Sequence, residues 1–397
     1  MTTGDASLSS IAPAKPAPWR DPKIRAIAYQ VLFVAGVVGF VAFLVHNTLA
    51  NLGRQHIATG WGFLHKEAAF GIGESLIAYS PADTYGRAFL VGLTNTLHVA
   101  ALGVIFATIL GTVMGLARLS SNWLVSKLAQ VYVETFRNIP LLLQLFFWWG
   151  LLNKMAPSPR QAWQILPDVF ISNRGIIYPV PAANSAHKWM GLAFVIGIVL
   201  TFVVKSWAKR RQMATGKQFP TGWVGLGLVV GLPAIVFLLA GAPVALDAPA
   251  LKGFNFSGGS SMSPEFAALL IGLVVYTGTF VSEIVRSGIL AVSWGQSEAA
   301  MALGLKPSYR MRLVVLPQAL RVIVPPMTSQ YLNLTKNSSL AVAIGFPDLV
   351  SIANTTMNQT GQAIEGIMLI MGVYLFISLS ISLAMNLYNR AVALVER

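Results

Sequence analysis

Eight runs of apolar residues punctuate the chain, at about 27–45, 89–116, 131–151, 189–204, 223–241, 265–286, 327–345 and 364–387. Each is near the roughly 20 residues that a helix needs to cross the hydrocarbon core of a bilayer. The pattern predicts an all-α integral membrane protein of about eight transmembrane helices. The run at 189–204 is the shortest, and Lys205 could snorkel from its end.

The polar intervals are read in the same way. Residues 1–26 are rich in Pro, Ala and Ser, basic, and without the short apolar core and cleavage site of a signal peptide. They are expected to form a disordered tail. Residues 46–87 are too polar to cross, and Asn47 to His56 could lie as a short surface helix. The interval 152–188, with Pro157, Pro159, Pro167, Pro179 and Pro181, predicts an ordered but irregular loop. Residues 242–263 end in Ser257-Gly258-Gly259-Ser260-Ser261, a flexible lead into the sixth span.

Composition sharpens this picture. Hydrophobic residues make up 55% of the 397 and charged residues 11%, against about a quarter charged in a soluble chain. Cysteine is absent, which excludes disulfides and thiolate metal sites. The net charge of +14 lies between apolar runs rather than in one patch, which argues against nucleic acid and for loop charges that orient the spans. Nineteen of the 28 Lys and Arg fall on one side of the predicted stack, eight on the other, and Lys336 inside a span. The richer side holds both termini and the loop around Glu298, and is therefore the expected cytoplasmic side. No Gly-x-x-x-x-Gly-Lys-[Ser/Thr] phosphate loop is present. Thr215-Gly216-Lys217 lacks the first glycine and the following hydroxyl. Five scattered histidines suggest no metal cluster and no Ser/His/Asp set emerges, so the chain reads as no enzyme on its own.

The loop between the sixth and seventh runs carries the most specific pattern. Glu298-Ala299-Ala300 is followed by Ala302, Leu303, Gly304 six positions after the Glu, and Leu305. Leu316-Pro317 comes twelve and thirteen positions after the Gly. Ser293 or Ser297 can cap a helix start and Gly304 can end it. Lys306-Pro307 prevents continuation, and Ser308 can cap a second helix toward Leu320. Lys66-Glu67-Ala68-Ala69 repeats the tripeptide, but Gly71 follows four positions after the Glu, no Leu-Pro comes after it, and it lies on the opposite side.

This spacing resembles the coupling loop of permeases from ATP-binding-cassette (ABC) importers, with Val314 where that pattern usually carries Ile. Gly92 to Leu97, Glu134 to Gln144 and Asn333 to Ser339 are similar to the polar amino-acid subgroup of that family. The match covers 88–151 and 264–390. The extended layout resembles permeases of general L-amino-acid importers. The resemblance implies a type I core of five helices within 88–390, preceded by a helix and outer segment at 27–87 and interrupted by an insert at 152–263 with two extra helices. It implies a multi-pass protein of the bacterial inner membrane that translocates L-amino acids beside a related second permease. Two ATP-binding subunits would hold ATP and Mg, none of it on this chain, and a periplasmic amino-acid-binding protein would deliver substrate. Glu298, Ala299, Ala300, Ala302, Leu303, Gly304, Leu305, Leu316 and Pro317 would dock the ATPase.

Within the spans, Asn95, Thr96, Thr279, Tyr331 and Asn333 are candidates to line a substrate path, although small polar residues also join helices. Lys336-Asn337-Ser338-Ser339 places a lysine in apolar surroundings, where it faces either an aqueous path or a structural partner. Glu283 is expected to pair with Arg286, and Glu134 with Arg137. Pro140 and Gln144 predict a kink and a polar group for a neighbouring helix to satisfy. Pro325-Pro326 is expected to start the seventh span, Gly345-Phe346-Pro347 to end or break it, and His98 to bond across helices. A rival reading is an ion-coupled secondary transporter with Lys336 and Glu283 as charge relays. A scaffold without transport leaves the polar in-span residues unexplained.

Overall fold

The structure, a computed structural model, describes residues 22–55 and 59–392, with side chains through residue 387. Residues 1–21 of the expected tail, and His56, lie outside the described residues. The first helix, α1, runs from Pro22 to Arg54. Nothing in that stretch forces a stop, so the short surface helix expected at Asn47 is simply its continuation. None of its residues is buried.

After a 3₁₀ turn at Trp61–His65 the chain enters α2, Tyr85–Arg118, capped by Thr84 Oγ1 accepting from Arg87 N at 3.3 Å. Helix α3, Trp123–Asn138, starts where Asn122 Oδ1 accepts from Leu124 N and Val125 N. Helix α4, Leu141–Gly150, follows and ends in a π turn, Leu151–Met155. The expected single span at 131–151 is thus two helices. Pro140 has no N–H to continue the ladder, and it holds Ile139 extended at φ −94, ψ 125. Gln144 Nε2 donates to Phe136 O at 2.8 Å and Ile139 O at 3.0 Å, so the break is satisfied within the chain segment rather than by a neighbouring helix. Arg137 lies over the Phe280 ring at 5.2 Å instead of pairing with Glu134.

The insert departs most from expectation. Strands β1 (Trp163–Leu166), β2 (Val169–Ser172) and β3 (Gly175–Tyr178) form an antiparallel meander. After β4 (Val180–Pro181) come two helices, α5 (Ser185–Thr215) and α6 (Thr221–Leu239). Strand β5 (Leu246–Asp247) then pairs with β4 and closes the base of that hairpin. Strand β6 (Ala250–Lys252) pairs with β7 (Asn255–Ser257), and β8 (Ser260–Met262) joins β3 with Ile176 opposite Met262. The predicted irregular loop and flexible lead therefore form one four-stranded sheet and two two-stranded ones. Val169-Phe170-Ile171 and Gly175-Ile176-Ile177 supply β-branched and aromatic residues, and Gly258 and Gly259 take φ of +81 and +67 to turn β7 into β8.

The remaining chain is helical. It comprises α7 (Pro264–Leu290), α8 (Trp294–Ala302), α9 (Pro307–Arg310), a π turn (Met311–Val315), α10 (Leu316–Asn337), a 3₁₀ turn (Ser338–Ile344), α11 (Leu349–Thr360) and α12 (Ala363–Val392). Six described helices are long and apolar enough to cross a membrane, or seven when the bent pair 307–344 and 349–360, angled by 51°, counts as one span. The eighth expected span is the broken α3–α4 pair. Pro325 and Pro326 sit inside α10 rather than at a span's start. Ser308 does not cap its helix, because Lys306 holds the cap position with Pro307 first inside.

Helices α2 and α7 form the centre. A Cβ added at Gly111 would fall 2.4 Å from Val281 Cβ and 2.8 Å from Gly278 O, and one at Gly115 would fall 2.8 Å from Ser282 O. Bare backbone lets the two helices touch, and dispersion drives that contact in lipid, where hydrophobic exclusion cannot. Gly111→Leu is expected to destabilise the chain by about 1–3 kcal/mol or more. It should lower the melting temperature in detergent by several degrees, read by fluorescence-detected size exclusion. Gly227→Leu, with nothing within 4 Å of its Cβ, should melt like the wild type.

Candidate functional site

The Glu298 loop forms a compact turn. Gly304 takes φ +71, its N–H donates to Met301 O at 2.9 Å, and Leu305 N donates to Ala300 O at 3.1 Å. This closes α8 as a Schellman-type end, which favours glycine at that position. Ser297 and Ala300 are buried against the π turn Met311–Val315, while Leu305 is half-buried and holds the turn. Glu298, Ala299, Ala302, Leu303 and Gly304 face outward, with Leu303 80% exposed. Ser293 sits at the cap position without a side-chain bond, and Ser297 lies inside the helix. Leu316 and Pro317 begin α10 and are exposed.

Beyond this turn, α9, the π turn, α10 and the following 3₁₀ turn form one unbroken helical rod, 307–344. It stops at Gly345, φ +81, and the chain re-enters helix at Leu349, capped by Asp348 Oδ1 accepting from Ser351 N at 2.8 Å. The α8 turn thus stands at one end of a rod and the break at the other.

Several expected path residues are hydrogen-bonded to main-chain groups. Asn95 Nδ2 donates to Glu74 O and to Pro347 O, both at 2.9 Å, so it clips the break to the loop before α2. Thr96 Oγ1 donates to Gly92 O at 2.9 Å and accepts from Leu349 N at 3.1 Å. Buried Thr279 and Ser338 spend their hydroxyls on Tyr276 O and Thr335 O, each at 2.7 Å. His98 stacks on Phe266, ring centroids 5.0 Å apart, in place of the expected interhelical hydrogen bond.

Tyr331 does reach a cavity. Its hydroxyl and Thr108 Oγ1 lie 3.0 Å apart, between an apolar groove of 670 Å³ bounded by Leu97, Val104, Thr335 and Phe376 and one of 430 Å³ bounded by Thr112 and Met327. Asn333 and Lys336 are exposed on α10 beside half-buried Asn337, and Lys336 makes no ion pair among the described residues. The expected burial of this lysine is thus absent in the single chain, because its face of α10 has no neighbour within the chain.

The sequence also concealed two features. Glu283 accepts from Arg286 at 3.2 Å as expected, and Arg118 at the end of α2 binds it as well. Charged residues near the C-terminal ends of two parallel helices were the available signal. On the far side, a polar cavity of 340 Å³ opens beside the break, lined by Glu74, Ser263, Glu265, Pro347, Ser351 and Thr355. Ser263 Oγ donates to Glu74, and Trp149 Nε1 donates to Glu265 at 3.1 Å. Burial raises the pKa of Glu74 above the usual carboxylate range; the Ser263 hydrogen bond opposes the shift and nearby Glu265 adds to it. Glu74 lies in the long polar interval, where nothing in the local pattern marked it. Among the described residues no group of three or more acidic or histidine side chains could hold a metal ion.

The family model described as the inner membrane component of binding-protein-dependent transport systems matches residues 107–394. The chain is 51% identical over 377 residues to the general L-amino acid transport system permease protein AapQ of Rhizobium johnstonii, covering 95% of this chain and 94% of the relative. It is 52% identical over 378 residues to the putative amino-acid ABC transporter permease protein YhdX of Escherichia coli, covering 95% and 96%. A crystal structure of an amino acid ABC transporter with histidines aligns with a TM-score of 0.46 at 22% identity, over 77% of this chain and 95% of that one. On the extent of the family match and the identity to these relatives, the chain belongs to the inner membrane components of binding-protein-dependent transport systems.

Proposed function

We propose that this chain is the membrane-spanning permease of an ATP-driven importer of L-amino acids. It works beside a second permease and two ATPase subunits, and a soluble binding protein delivers substrate on the outer side. ATP and Mg are bound and turned over on the ATPases. Both termini and the Glu298 loop face the cytoplasm of a bacterial cell, and the chain sits in the inner membrane. The relatives' printed names support the amino-acid and ABC assignments.

The observation that carries the coupling assignment is the exposed α8–Gly304 turn at the foot of the rod 307–344. A short alanine-rich helix with Leu303 fully presented offers a low surface for a groove on an ATPase. Because the rod is unbroken, displacement of its foot moves the break at Gly345–Asp348 as a body. That break borders the polar outer cavity, so the same movement changes access from outside. On the way the rod carries Asn333, Lys336 and Asn337, which line the path where the second permease covers them. A lysine at that depth is unfavourable against lipid and is retained where protein or water faces it. The ion-coupled alternative loses one of its two relays, since Glu283 is already held by Arg118 and Arg286.

Gly304→Asp separates docking from folding, because no atom lies within 4 Å of the added Cβ and the left-handed φ costs only about 1–2 kcal/mol. We expect normal insertion, loss of the co-purifying ATPase and abolished uptake in proteoliposomes; wild-type uptake would refute coupling through this turn. Lys336→Ala is expected to cut ATP-driven uptake by about tenfold or more with the ATPase retained, and Lys336→Arg to recover part of it. Unchanged uptake and assembly in the alanine variant would remove Lys336 from the path.

A further inference from the structure

The insert's helical hairpin carries a second site. Helices α5 and α6 cross with Gly197 against Leu228 O and Gly225 against Thr201, whose Oγ1 donates to Gly225 O at 3.4 Å. This antiparallel pairing puts Lys205 level with Thr221, the first residue of α6. At 1.5 Å per residue, positions 206–215 of α5 therefore overhang their partner by about 15 Å. Two exposed tryptophans mark the membrane boundaries on α5: Trp189, 60% exposed, and Trp207, 50% exposed. They stand about 27 Å apart along the helix, close to the thickness of the hydrocarbon core. Lys209, Arg210 and Arg211 then lie about 3–6 Å beyond the inner belt, at the depth of lipid headgroups.

The tip is built rather than frayed. Gly216, φ +70, reverses the chain so that Phe219 packs on Trp207, ring centroids 5.3 Å apart. The Arg211 guanidinium lies 5.4 Å over Trp207 and 5.9 Å from Phe219, and Ala208 is buried beneath. Lys217 returns on the same turn. The sequence has no Asp or Glu between Asp168 and Asp247, so no acid of α5, α6 or the turn between them neutralises these cations. The hairpin packs chiefly on itself, and its flanks are exposed and apolar, which surrounds the tip with lipid.

We propose that Lys209, Arg210, Arg211 and Lys217 form a binding site for the phosphate of an anionic phospholipid headgroup. Its placement in the inner leaflet rests on the proposed orientation; the lipid preference does not. Polybasic clusters beside a span attract anionic lipid, and guanidinium held on an aromatic face is pre-oriented for a phosphate. The occupant is a lipid because the cations stand at headgroup depth on a hairpin whose remaining surface suits only acyl chains.

The test uses the chain purified with its partner subunits, exchanged into nanodiscs of equal phosphatidylglycerol and phosphatidylcholine, with retained lipid counted by native mass spectrometry. We expect the wild type to enrich phosphatidylglycerol by roughly tenfold and K209Q/R210Q/R211Q/K217Q to lose that preference. Because the chain has no cysteine, Thr215→Cys in both backgrounds reports which side the tip occupies, by an impermeant maleimide. That readout separates failure of the proposed orientation from failure of the lipid site. Should the variant not accumulate, the wild-type enrichment must fall in about 0.5 M KCl and survive millimolar inorganic phosphate. Equal retention of both lipids by the wild type, wild-type preference in a correctly oriented variant, displacement by inorganic phosphate, or loss of the ATPase with lipid retention intact would each overturn the proposal.

Discussion

The backbone contact between α2 and α7 at Gly111, Gly115, Val281 and Ser282 sets the spacing on which the other joints depend. In lipid, apolar side chains gain nothing by leaving their solvent, so helices hold together through close packing and a few polar ties. Glycine permits the first, and it positions the second. With α2 and α7 in backbone contact, Arg118 at one end of the pair reaches Glu283. At the other end, Asn95 and Thr96 of α2 reach the backbone of Pro347 and Leu349. Moving α2 outward by the width of a side chain would break all three at once.

That arrangement leaves the molecule with one stiff, one-piece element against a braced pair. The rod 307–344 has no internal break despite Pro325 and Pro326 inside α10. Its far end stops at a glycine and an extended Asp348 cap, which α2 grips through side chains that bond main-chain atoms. Under the proposed coupling, a rod gripped at the tip and exposed at the foot would move as a lever. The polar cavity containing Glu74 and Glu265 sits where the lever's tip would open or close it.

The elements most readable from sequence were those set by local rules. Apolar run length found the long helices, and the Glu-Ala-Ala…Gly spacing found the α8 turn, because a left-handed C-terminal residue selects glycine regardless of context. What resisted reading was decided by neighbours far away in sequence. The sequence marked Asn95, Thr96, Thr279 and Ser338 as polar in-span residues but not the main-chain groups they bond. Pro140 was legible as a kink but not as a full break. Its severity follows from extended Ile139 and from Gln144 capping the freed carbonyls, a geometry that spacing does not express. The sheet of the insert escaped because its strands are four residues or fewer, and one of its partners, β8, lies across two helices in the chain.

Lys336 connects these points. A charge on a helix face without a neighbour in its own chain is unstable against acyl chains, so its exposure is a statement about the assembly rather than about the fold. The hairpin of α5 and α6 shows the contrasting solution. Its Lys209, Arg210, Arg211 and Lys217 stand beyond the tryptophan belt, where water and phosphate can solvate them, and its buried face is closed by its own glycines. The two surfaces obey one solvation rule with opposite consequences. Where the charge is at headgroup depth the chain can be complete alone, and where it lies within the span the proposed second permease would have to cover it.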